Sequence, residues 1–113
     1  MSEWTQEDDK LVTLAKSARA RIGAASGAAL RDTTGRTYAS AQVDKGALQL
    51  SAIELVVGQA AASGATGVEA VVVNGENFKV EELEIEFVAV VGGVNVPIYV
   101  VDNDGNIVEK LHT

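Results

Sequence analysis

The sequence predicts an α/β domain with helices around a mixed sheet. Three observations carry that expectation. An amphipathic stretch opens the chain, a long alanine-rich apolar run occupies its middle, and valine-rich segments bounded by turn residues follow. At 113 residues, 47% apolar, the chain is sized for one domain over 1–113 with a single core. Valine and alanine dominate that core, since Trp, Tyr and Phe together supply only five residues.

Thr5 followed by Asp8 reads as a helix cap with an acidic first turn. Leu11, Leu14, Ala15, Ala18 and Ile22 then recur at helical spacing until Gly23 stops the run. Two short antiparallel strands fit Ser26 to Arg31 and Arg36 to Val43, joined by the turn signal Asp32-Thr33-Thr34-Gly35. From Ala47 to Ser63 the chain is too long and too alanine-rich for an ordinary strand, so a largely buried second helix is expected, ending near Gly64. Val68 to Val73 reads as a strand at the sheet centre, because continuous valines require both faces to be covered.

Residues 80 to 91 satisfy two periods at once. Leu83, Ile85 and Phe87 alternate with Glu82, Glu84 and Glu86 as in a strand, whereas Val80, Leu83, Phe87, Val90 and Val91 form a helical stripe. Val94 to Val101 is a strand, with Pro97 suited to an edge or a strand start. Asp102 to Asn106 turns the chain, and Ile107-Val108 begins a last short strand or helix.

Composition excludes several chemistries. With no cysteine there is no disulfide, iron–sulfur cluster, thiol nucleophile or cysteine-ligated zinc, and the single histidine is His112. Five serines lack a histidine general base in the body of the domain, which argues against a serine hydrolase. Gly23, Gly27 and Gly35 do not make a phosphate-cradling loop. The formal charge is -7, and residues 47–113 hold only Lys79 and Lys110 against ten acidic groups, which disfavours general binding to nucleic-acid backbones. No apolar run approaches a membrane span and no basic signal-like start precedes one, so a cytoplasmic protein is expected.

The remaining polar clusters have ordinary readings. Asp102, Asp104 and Asn106 lack the distal glutamate of a calcium loop and read as a polar turn. Glu81, Glu82, Glu84 and Glu86 read as a solvated acidic face rather than a site for a cation or basic partner. Trp4 reads as packing ahead of the first helix rather than as a partner contact.

The words Gly27-Ala28-Ala29-Leu30, Asp32-Thr33-Thr34-Gly35-Arg36, Gln42-Val43-Asp44 and Ser51-Ala52-Ile53-Glu54, with Pro97-Ile98-Tyr99 before Asp104-Gly105, together resemble the cytidine deaminase family. The likeness lies in their order and covers most of the chain. It implies a three-layer α-β-α sandwich with a mixed sheet, and it tilts residues 80–91 toward a helix. It also implies a homodimer or homotetramer, with the apolar run Ala47 to Ala62 as a surface to bury between subunits.

In that family a Cys-Ala-Glu or His-Ala-Glu triplet supplies a zinc ligand and the proton-shuttling glutamate, and a Pro-Cys-x-x-Cys motif supplies two more ligands. The matching triplet here is Ser51-Ala52-Ile53, so the family-site positions Ser51 and Ile53 are degenerate, and the second motif is missing. Glu54 lies one residue late, about 100° around the helix, and does not replace the shuttle. No catalytic residue, metal or cofactor is therefore expected.

Gln42 and Asp44 look like softened versions of the family's ribose-contacting Asn and Glu, with Ala24 near the place of a substrate-contacting Phe. The resulting expectation is a zinc-free, non-catalytic protein with a structural, interaction or regulatory role and a protein partner. The alternative is a nucleoside- or nucleotide-binding module using Gln42 and Asp44, and an active deaminase ranks last.

Overall fold

The computed structural model describes residues 4–113. The first helix, α1 (Gln6–Ile22), starts as its sequence dictates: the Thr5 backbone N–H donates to Asp8 Oδ2 at 3.0 Å, and Gly23 closes it at φ 63°. The chain then forms β1 (Ser26–Asp32) and β2 (Thr37–Ala41), paired antiparallel around the expected turn. Asp32 builds that turn. Its Oδ1 accepts from the Thr34 N–H, the Thr34 hydroxyl and the Arg36 N–H, and its Oδ2 from the Tyr38 hydroxyl at 2.9 Å.

The second helix starts later than expected. Val43–Lys45 (β3) and Leu48–Leu50 (β4) form a small separate hairpin, and α2 covers Ala52–Ala62. Gly46, at φ 65°, turns the hairpin, and Ser51 fixes the helix start. The Glu54 N–H donates to Ser51 Oγ at 3.0 Å while the Ser51 N–H donates to Glu54 Oε1 at 2.8 Å. A reciprocal cap outweighs the alanine-rich pattern in setting this boundary.

The strand β5 (Val68–Gly75) lies in the middle of a five-stranded sheet ordered β2-β1-β5-β6-β7, where β6 is Pro97–Val101 and β7 is Ile107–His112. It pairs antiparallel with β1 and parallel with β6, so the sheet is mixed. That parallel pair decides the segment between its strands. A parallel connection must return across a sheet face, and residues Glu82–Gly92 do so as α3. Pro97 opens β6, and the last segment is an edge strand.

Alternation along the strands sorts side chains into two cores. Ala28, Leu30, Val71, Val73 and Ile98 meet Ile53, Val56 and Val88 on the face covered by α2 and α3. Ala29, Ala70, Val72, Tyr99 and Val101 meet Leu11 and Ala15 of α1 on the other. The result is the three-layer α-β-α sandwich. Trp4 joins the α1 layer edge-on to Tyr99, ring centroids 4.8 Å apart, and its indole N–H donates to Asp9. Among the described residues no helix is long and apolar enough to cross a membrane.

Candidate functional site

Gln42 and Asp44 sit where β2 hands over to the hairpin. The Gln42 backbone N–H donates to the Ser26 carbonyl at 2.9 Å, which ties this crossing to the sheet, and Asp44 pairs across the hairpin with Gln49. Their side chains line one cleft of about 410 Å³ together with Gly23, Ala24 and Lys45. Its opposite wall is the end of α1. Arg19 holds that wall: Nε donates to the Ala24 carbonyl at 3.0 Å, and its Nη1 donates to the side chains of Asn74 and Asn103. Asn74 is 1% exposed and donates to the carbonyls of Val101 and Asp102, so the anchor reaches the sheet centre.

Arg19 can make this contact because Gly27 lets α1 lie close on β1. A Cβ at Gly27 would fall 2.3 Å from the Ala15 carbonyl oxygen and 2.9 Å from Arg19 Cβ. The cleft thus combines an amide, a carboxylate and an ammonium on a backbone fixed from both sides. An amide and a carboxylate suit vicinal hydroxyls, and the lysine beside them suits a phosphate. Lys45 escaped the sequence reading, although its place next to Asp44 was a usable signal.

Ser51 and Ile53 lie elsewhere and apart from each other. Ser51 is half-buried, its hydroxyl engaged in capping α2, and it borders a second cleft of about 320 Å³ that also takes in Glu54, Glu81 and Glu84. Ile53 has no exposed surface and fills the core beneath α2 and α3. His112 is exposed on β7, an edge strand of the sheet. Among the described residues no group of three His, Cys, Asp or Glu side chains is placed to hold a metal ion.

The acidic run is not one solvated face. Glu81, Glu82 and Glu86 are exposed, but Glu84 is 7% exposed, one turn before the fully buried Val88. Its Oε1 accepts from the Glu81 N–H at 2.9 Å. The other strongly placed charges are structural. Arg31 bridges Asp8 at 2.8 Å and Glu69 at 2.7 Å, and although burial lowers its pKa, the bonds to Glu69 and Asp8 raise it overall. Burial, with the charge of Asp8 second, raises that of Tyr99.

Comparison with known proteins matches this architecture. A family model described as cytidine deaminase-like matches residues 4–105. No curated protein sequence matches the chain. Among solved structures, cytidine deaminase from Burkholderia pseudomallei superposes with a TM-score of 0.81 at 19% identity, covering 96% of this chain and 93% of that one. Cytidine deaminase from Mycobacterium leprae gives 0.68 at 20% identity over 92% and 91% of the two chains. A mutant cytidine deaminase from Mycobacterium tuberculosis gives 0.69 at 21% identity over 87% and 85%. At these identities the superpositions speak for the fold alone.

Proposed function

The chain belongs to the cytidine deaminase-like family, and from that premise we propose that it is a non-catalytic member whose fold serves a structural, interaction or regulatory role. One observation carries the reading. Ile53, at the position where the family resemblance calls for a proton-carrying glutamate, is fully buried among Val56, Val88 and Ile98. An aliphatic side chain in a packed core moves no proton and leaves no room for a nucleobase.

A zinc ion does not fit the residues present. Zinc of this class takes thiolate or imidazole ligands, whereas Ser51 offers a neutral hydroxyl already accepting from the Glu54 N–H. Glu54 is turned to its own cap, its Oε1 accepting from the Ser51 N–H. The test is a metal titration: after equilibration with zinc and desalting, the protein should retain far less than one ion per chain. Stoichiometric zinc would contradict the reading.

A second reading rests on the cleft at Gln42 and Asp44. Both line it with Ala24, the grouping expected of a remnant nucleoside site, and Lys45 extends it toward a nucleotide. Calorimetric titration with ribonucleosides and their monophosphates should then give heat that Gln42→Ala and Asp44→Ala both diminish. Silence across the panel would discard this reading.

The same proposal includes self-association in the cytoplasm as a homodimer or homotetramer. Gly58, Ala61 and Ala62 of α2 are exposed, as are Leu83 and Val90 of α3, so both helices keep apolar surface outside the core. Sedimentation should show a concentration-dependent dimer or larger species, and a monomer at all concentrations would refute it.

A further inference from the structure

The second cleft, of about 320 Å³, opens between the N-terminal ends of α2 and α3. Its wall carries three carboxylates, Glu54, Glu81 and Glu84, against one cation, Lys79. It also carries Phe78 and Phe87, the only two phenylalanines of the chain. Glu84 is 7% exposed, and while its Oε1 accepts from the Glu81 N–H, its Oε2 is buried with no hydrogen-bond partner. A buried carboxylate oxygen without a donor is costly, and a ligand that brings a donor relieves it.

We propose that this cleft binds a small primary alkylammonium ion. The ammonium group offers three donors and a full positive charge to Glu84 and its neighbours, and the alkyl chain lies along the phenyl rings, whose faces also attract a cation. A bare metal ion is the poorer match, because no three acidic or imidazole groups converge on one point among the described residues. The helix N-termini oppose a cation, with about half a positive charge each, but Glu54 and Glu84 lie in the first turns of α2 and α3 and offset them. A volume at the lower end of small-molecule sites favours a free amine over a lysine carried by a protein.

The test is a titration of the full chain, followed by NMR or calorimetry, with n-butylammonium chloride, n-butanol, sodium chloride and acetyl-lysine methylamide. The proposal expects saturable binding of butylammonium and none of butanol or salt. Glu84→Gln, which keeps a side chain able to complete the cap of α3, should weaken binding about tenfold or more, and Lys79→Met should strengthen it. Acetyl-lysine methylamide should bind more weakly than butylammonium, and equal or tighter binding would overturn the assignment to a free amine. No saturable binding, or affinity unchanged in Lys79→Met, overturns the site even where Glu84→Gln fails to fold. The nucleoside cleft plays no part, so Gln42→Ala should leave this binding intact.

Discussion

Asp32 shows what a polar residue does here when it is not at a site. The Thr34 hydroxyl above all, then the Tyr38 hydroxyl and the Arg36 and Thr34 N–H groups, hold its carboxylate pKa down to about 2 from 3.8, against the opposing effect of burial. A pKa lower in the folded than in the unfolded chain stabilises the fold above pH 3.8, and that contribution is lost as pH falls toward about 2. Urea midpoints measured across this window should therefore show wild type losing stability that Asp32→Asn lacks at every pH. Parallel pH curves for the two proteins would mean that Asp32 is not the titrating group. At the same scale, Gln42 and Asp44 were legible only through a family resemblance, because one amide and one carboxylate around a valine have no chemistry of their own to announce. Glu84 was not legible at all: its inward direction depends on α3 being a helix, and its neighbours at 82 and 86 do face solvent.

Elements differed in how far their sequences revealed them, for physical reasons. α1 and β5 follow from local pattern, since each has one period and matching end signals. The α3 segment satisfies two periods, and the parallel pairing of β5 with β6, a non-local fact, selects the helix. The β3–β4 hairpin is hidden because its strands have three residues each and Leu48 and Leu50 extend the apolar pattern of α2 backward. The seating of α1 on β1 gives the sharpest test at this scale. Gly27→Ala must move backbone at Ala15, so chemical denaturation should show a loss of about 3 kcal/mol. The displaced Arg19 should also release the Ala24 loop, detectable as faster amide exchange there. An unchanged denaturation midpoint would show that the helix can lift without cost.

Taken as a whole, the molecule keeps the sandwich of its family while the positions that would do chemistry serve the fold. Ser51 ends a hairpin and starts α2, Glu54 completes that cap, and Ile53 joins the core under both helices. Stability and catalysis make opposite demands on position 53, since a packed core excludes both water and charge. Ammonia release from cytidine, followed in zinc-containing buffer at high protein concentration, tests the non-catalytic reading most directly. The account predicts no release above the protein-free blank; steady turnover that chelation abolishes and zinc restores would contradict it.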